Sequence, residues 1–436
     1  MKSFFTTITQ VTARRDEGKW PPLPIKDGAF MLGFALLTVV FLIFTFYPPL
    51  FDPLTGDVKN FHTYILAIGE EKVPYRDFVV EYPPFSLLFI ILPALASNLV
   101  SPSLTNYSIA FQMQSFILAA ALMPVVRNLL LSFYPTPSNY KWRMAFFGVM
   151  LPIISLYIFR RFDIAPALLV ALAFYLLYQQ RPGWAGICLG LATTTKLYPF
   201  LVLPFLFLYF VRNRGEWKLF LRLWISYLIA IIVSVLPFAL FSFSGLVESL
   251  KYQTERGLQI ESFFASIIWI GNQFGLVEVF RTVDHKSTGY FSSWNAWLLP
   301  TSTILLVSGL LGLFVYSWWV SNPRRFTLTR QWLLLATFLA ISWFIIANKV
   351  ISPQYMVWLL PFLPFLRHWM AWLGGLIIAL GTLDYLFLDA GVSDSDWPPM
   401  LIVLIRNVLL LLLIIVVFRD FQQESKIQPN LDNYLK

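Results

Sequence analysis

Cysteine is almost absent from this chain. Cys188 is the only one, so an intrachain disulfide framework is excluded. Histidine is nearly as scarce: His62, His285 and His368 are scattered over 436 residues, and no zinc or haem ligand set can be read from them. Charge is short as well. Only 13% of residues are charged, against about 25% in an ordinary soluble domain. Hydrophobic residues reach 58%, more apolar surface than a water-soluble core of this length can hide. A soluble enzyme and a disordered chain are both excluded. There is also no convincing Gly-rich nucleotide loop and no Rossmann-like segment, so no nucleotide partner is read. What remains is an all-α polytopic membrane protein.

A helix crosses the hydrocarbon core in about 20 apolar residues. The apolar runs predict about twelve spans, near 28–47, 105–126, 144–159, 164–180, 184–195, 197–211, 220–242, 294–320, 331–347, 354–366, 369–388 and 397–418. The apolar segment 85–100, with Pro93 inside, is short, and is assigned to the interface on charge. That register puts Arg127, Lys141, Arg143, Arg212, Arg214, Arg324 and Arg325 in the cytoplasm, as the positive-inside rule requires. Both termini then face the cytoplasm, and the opposite face is net acidic. The basic balance of +9 is thus a topology signal, and no nucleic-acid partner is implied. Arg406 is left inside the last span. The expected organisation is a cytoplasmic segment (1–27), a catalytic transmembrane module (28–262), a C-terminal transmembrane module (263–418) and a cytoplasmic tail (419–436). Two large loops, 48–106 and about 243–293, face outward. Their aromatic content argues against disorder.

In the first loop, residues 57–69 read as an amphipathic helix lying on the membrane. Val58, Phe61, Ile65 and Ile68 recur on one face, and Gly69 supplies a C-terminal stop. Asp57 opens this helix, where free N–H groups favour a carboxylate. An N-cap role explains it equally. The stretch Val73-Pro-Tyr-Arg-Asp-Phe-Val-Val-Glu-Tyr-Pro-Pro84 follows, a proline-fixed corner carrying Tyr75, Arg76, Asp77, Glu81 and Tyr82. An interfacial aromatic belt with solvated charges is the alternative reading of this corner.

Asp57, Tyr64 seven residues on, Gly69-x-x-x-Val-Pro-Tyr-Arg-Asp-Phe and Glu81-Tyr-Pro-Pro together resemble the first extracytoplasmic loop of GT-C class glycosyltransferases. More narrowly, they resemble the bacterial polyprenol-phosphate-mannose-dependent mannosyltransferase family. Gly190-Leu-Ala-Thr-Thr-Thr-Lys-Leu-Tyr-Pro199, Tyr252-Gln-Thr-Glu-Arg-Gly-Leu-Gln-Ile-Glu-Ser262 and Asn348-Lys-Val-Ile-Ser-Pro-Gln-Tyr-Met356 agree in order. The resemblance implies a GT-C-like fold in the plasma membrane. It also implies transfer of a sugar, mannose by analogy, from a polyprenyl-phosphate donor to a lipid, glycan or protein acceptor on the extracytoplasmic side, with inversion at the anomeric carbon. A phosphate leaving group needs no general acid, so one base and some cations would suffice. By motif position the base is Asp57, and the phosphate cations are Arg256, Lys349 and Lys196. Tyr64, Tyr75, Arg76, Asp77, Glu81, Asp163, Glu261, Gln354 and Tyr355 are candidates to bind or orient substrate. Blander readings stand beside these: a snorkelling anchor for Lys196, a solvated ion pair for Arg256, and a helix-closing Arg–Asp pair within Arg160, Arg161 and Asp163. No metal-ligand cluster is legible and no cofactor is certain; a divalent metal stays open. The competing functions are a lipid or small-solute transporter or flippase, which repeated halves and midplane charges would favour, and a structural subunit.

Overall fold

The computed structural model describes residues 27–47, 57–100, 102–284, 287–324, 326–389 and 397–426. The expected N-terminal segment, apart from Asp27, and the tail beyond residue 426 lie outside them. The first described helices are α1 (Gly28–Phe46), α2 (Asp57–Gly69), α3 (Ser86–Asn98), α4 (Leu104–Phe133), α5 (Pro137–Arg160), α6 (Ile164–Tyr178) and α7 (Pro182–Thr195). An irregular helical segment, α8 (Tyr198–Asn213), precedes the long α9 (Trp217–Glu255). Then come β1 (Leu258–Gln259), α10 (Phe263–Gln273), β2 (Phe280–Asp284), β3 (Ser287–Phe291), α11 (Asn295–Val320), α12 (Arg330–Ala347), α13 (His368–Asp389) and α14 (Trp397–Glu424).

Helix starts follow from short polar side chains. Asp27, Ser103, Ser262 and Thr329 each accept a bond from the backbone N–H three residues on, satisfying a donor that the first turn leaves free. Among the described residues, seven helices are long and apolar enough to cross a bilayer: α1, α4, α5, α9, α11, α12 and α14. The fold is therefore helical and membrane-spanning, as expected. Several of the twelve anticipated spans take another form. Helices α6 and α7 have 15 and 14 residues, about 22 Å against a hydrocarbon core of about 30 Å, while α3, in the segment assigned to the interface, has 13. The expected span 354–366 breaks into single turns at 353–355, 356–359 and 363–365, because Pro353, Pro361 and Pro364 each remove a donor.

Helices α7 and α9 touch backbone to backbone. A β-carbon at Gly190 would stand 2.6 Å from the Tyr227 carbonyl oxygen, and one at Gly186 would overlap that of Leu223. The Gly186-x-x-x-Gly190 spacing puts both on one face, the small-residue packing that lets membrane helices approach closely. The second loop departs from the all-α expectation. It folds as a three-stranded antiparallel sheet in the order β1-β3-β2, with Arg281 opposite Tyr290 and Leu258 opposite Tyr290 on the other edge. Leu258, Ile260, Phe264, Ile268, Tyr290 and Leu298 form a small core of their own beneath it.

Candidate active site

Helix α2 is anchored by its apolar face. Phe61 is 1% exposed and packs against Phe111, Phe162 and Tyr82, with ring centroids 5.5, 5.4 and 5.9 Å away. Burying one such side chain contributes about 1.5–3 kcal/mol, and it fixes where the N-terminus of α2 points. Asp57, one turn earlier, is thereby aimed at the start of the Glu81–Pro84 stretch. The Tyr82 hydroxyl donates to Asp57 Oδ2 at 3.1 Å, and Arg161 forms an ion pair with the same oxygen.

The corner at 73–82 is held by a strained residue. Tyr75 has φ 67°, a left-handed conformation that non-glycine residues rarely adopt. It is buried, and its hydroxyl donates to the Tyr82 carbonyl at 2.7 Å, tying the corner to the residue that contacts Asp57. From the other side α9 closes on it: a β-carbon at Gly245 would overlap the Tyr75 carbonyl oxygen. Tyr64 is buried on α2 against Phe78. Arg76 and Asp77 face outward instead. Their mutual hydrogen bonds, at 2.8 and 2.9 Å, close the turn, and Asp77 Oδ2 accepts from Val73 N at 2.7 Å. The bond from Arg76 holds the Asp77 carboxyl down at about 2.

Helix α7 delivers the next cation. Thr193, Thr194 and Thr195 bond back to carbonyls three and four residues earlier, and at Lys196 the backbone turns extended before Pro199 opens the next helical segment. Lys196 Nζ stands 3.6 Å from Asp163 Oδ1 and 4.7 Å from the centre of the Tyr82 ring. Burial pushes its pKa down, and the Asp163 carboxylate opposes that shift. Asp163 is 1% exposed and accepts from Trp358 Nε1 at 2.8 Å. Tyr198, Trp358 and Tyr355 stack in series, with centroids 4.2 and 4.1 Å apart and planes within 20°.

These groups surround a cavity of about 590 Å³. Asp57, Glu81, Tyr82, Arg161, Lys196, Arg256, Glu261, Gln354 and Tyr355 line it, as do Arg281 and Thr288 from the β2–β3 hairpin. Five cations (Lys59, Arg161, Lys196, Arg256, Arg281) face three carboxylates (Asp57, Glu81, Glu261) across it. Burial pushes the Glu261 carboxyl above its ordinary value. The cavity therefore offers anion-binding groups, a proton acceptor and an aromatic platform together. Among the described residues no group of three or more His, Cys, Asp or Glu could hold a metal ion.

The structure thus brings Asp57, Glu81, Lys196, Arg256, Glu261, Gln354 and Tyr355 to one cavity, with Asp163 directly behind Lys196. Tyr64 and Tyr75 shape the loop from beneath, and Arg76 and Asp77 lie on its surface. Lys349 is apart from the cavity lining. Its Nζ donates to the Thr254 carbonyl at 2.6 Å, while its neighbours Asn348 and Val350 line the cavity. Burial lowers its pKa too. Within the charged cluster at 160–163, Arg161 pairs with Asp57 and Asp163 with Lys196. Sequence reasoning did not single out Tyr82, Arg281, Tyr198 or Trp358 for the site. Of these, Tyr82, inside the Glu81-Tyr-Pro-Pro motif, and Tyr198, inside the Gly190–Pro199 motif, carried a usable signal.

No curated protein matches the chain. The model of glycosyltransferase family 87 matches residues 78–353, well over half of the sequence; Asp57, Lys59 and Asn60 at one end of the cavity lining and Gln354, Tyr355 and Trp358 at the other lie outside that range. On that match, a membrane-spanning chain with a basic cavity built around a carboxylate belongs to glycosyltransferase family 87.

Proposed function

We propose that this glycosyltransferase takes a hexose, mannose by analogy, from a polyprenyl-phosphate donor and passes it to a hydroxyl of a lipid, glycan or protein acceptor. The cavity is the reaction site, it faces outward from the plasma membrane, and both chain termini lie in the cytoplasm. The observation that carries this reading is the Asp57 carboxylate, which lines a cation-rich cavity beside the Tyr82 hydroxyl and Arg161.

In the step proposed, the acceptor oxygen attacks the anomeric carbon as the bond from that carbon to the phosphate oxygen breaks. The electron pair departs with the phosphate, and the acceptor proton goes to Asp57. Attack opposite the leaving group inverts the anomeric configuration. A hydroxyl is a poor nucleophile until its proton is taken, and a carboxylate is suited to take it. Arg256 and Lys196 would counter charge growing on the phosphate. Such fixed charges do most where water is excluded. A lipid-borne donor also fits a catalyst built from spanning helices, since its tail can stay in the bilayer. Glu81, Glu261 and Gln354 are the groups available for sugar hydroxyls, and the Tyr198–Trp358–Tyr355 stack is a platform for the apolar side of a sugar ring.

The experiment is reconstitution in liposomes with radiolabelled polyprenyl-phosphate mannose and a mixed acceptor extract. Label moving to an acceptor is the expected result. Label crossing the bilayer intact, with no transfer, would replace the enzyme reading with transport.

A further inference from the structure

Arg406 sits inside the membrane-spanning α14, outside the segment that matches the family, and it is 0% exposed. A charge at that depth is costly and marks function or a specific partner. Its first partner is Asp384 of α13, also 0% exposed. Its second partner is unusual. Arg406 Nη2 donates to the backbone carbonyl of Glu261 at 2.6 Å, and Asn407 Nδ2 donates to the same oxygen at 3.2 Å. Asn407 is itself oriented by Arg406, whose Nε and Nη2 donate to its Oδ1 at 3.2 and 3.1 Å. It also reaches Ser266 Oγ on α10 at 3.4 Å.

One residue later, Ser262 caps α10 through its Oγ, and its N–H donates to the Gln259 carbonyl at 2.9 Å. The Glu261 main chain is thus clamped on one side by the last helix and on the other by β1 and the cap of α10. Its side chain lines the cavity, still within reach of the Arg406 charge. Glu261 Oε2 is buried and has no hydrogen-bond partner among the described residues. A buried carboxylate oxygen left without a donor is costly, and a ligand donor in the cavity would satisfy it.

We infer that Arg406 is a positioning residue for the cavity: through the Glu261 carbonyl it holds the Glu261 carboxylate where a hydroxyl of the bound sugar would donate to it. The inference rests on the reading of the cavity as the sugar site. It assigns a task to the α13–α14 hairpin, which the matched family segment does not include. Asp384 keeps the guanidinium in place, and Asn407 duplicates its grip on the carbonyl.

The test replaces the buried pair whole. Removing one partner would strand a buried charge, whereas exchanging both for apolar residues of similar size is often neutral or stabilising. The double substitution Asp384→Leu/Arg406→Met should therefore fold with an unchanged or higher Tm. Two readouts follow. Carbodiimide labelling of Glu261, quantified by mass spectrometry, needs no ligand and should rise at least fivefold as the clamp opens. In the transfer assay the KM for donor or acceptor should rise at least fivefold with kcat within twofold. Glu261→Gln alone should do the same, and the triple variant should be no worse than Glu261→Gln. Unchanged labelling overturns the inference whatever the substrate proves to be. So does a triple variant whose losses multiply, because the pair would then act independently of Glu261. Wild-type protein that labels as expected but transfers nothing from polyprenyl-phosphate sugars would instead overturn the donor assignment and leave the clamp supported by its labelling.

Discussion

Two arginine–aspartate pairs belong to the same face of this protein and do different work. Arg76 and Asp77 are chain neighbours on a surface turn, with side chains 49% and 31% exposed. Arg161 and Asp57 come from different helices and meet at the cavity lining, with side chains 21% and 14% exposed. The first pair closes a local loop and adds little, as exposed ion pairs generally do. The second joins α2 to the end of α5, and a tyrosine hydroxyl completes it. Adjacency in sequence produced the structural pair, and distance in sequence produced the pair at the cavity. In this loop, the motif's densest charge cluster closes a surface turn, and its isolated carboxylate lines the cavity.

That contrast breaks most visibly at Asp57. Asp57→Asn keeps the shape and nearly all capping ability, because asparagine caps helices about as well as aspartate. If Asp57 is the base, kcat falls about 10²- to 10⁴-fold in the liposome assay, with donor affinity held or improved. Near-normal turnover from a folded variant would move the base to Glu81 and make the Asp57–Arg161 pair as structural as the other.

A smaller effect separates two cations of the second half. Arg256 lines the cavity, whereas the Lys349 ammonium is spent on the Thr254 carbonyl. A hydrogen bond to a charged group contributes about 1.5–3 kcal/mol, so Arg256→Ala should raise the donor KM roughly 10- to 100-fold. Lys349→Ala should lower Tm by a few degrees, with donor KM within about threefold. The reverse ranking, measured by donor titration, would shift the phosphate toward Lys349.

The smallest effect belongs to the surface pair. Asp77→Asn should leave transfer within twofold. Because the folded Asp77 pKa is depressed to about 2, its contribution is present above the unfolded value near 3.8 and is lost as pH falls through about 2. Hydrogen exchange across residues 73–78 should therefore quicken in wild-type protein over that window, and show no such step in Asp77→Asn.

Composition and hydrophobic period were enough to read a helical membrane protein, and the helix expected over 57–69 is α2 with the same bounds. Its buried Val58 and Phe61 lie on the face that the 3.6-residue period marks. The span count was less legible. Apolar runs broken by proline look like crossings by hydropathy, yet Pro353, Pro361 and Pro364 turn one of them into three short turns. The hairpin that brings Arg281 and Thr288 to the cavity depends on strand pairing, which no local pattern announces. The partners of Arg161 and Asp163 were hidden for a related reason. The chain between them is not helical, so nearness in sequence says nothing about facing.

Helix α9 is 39 residues long, about 58 Å at 1.5 Å per residue, far more than a bilayer's hydrocarbon thickness needs. It is really two rods. At Ser242 the backbone leaves the helical region, with φ −161° and ψ 93°, and the Ser242 hydroxyl accepts from Gly245 N at 3.1 Å as if starting a new helix. The first rod is held against α7, where Gly186 and Gly190 let the Leu223 and Tyr227 backbone approach closely. The second rod is seated on the Tyr75 carbonyl and ends at Glu255. Each rod thus takes its direction from its own neighbour, and the bend at Ser242 lets one continuous stretch of chain serve both.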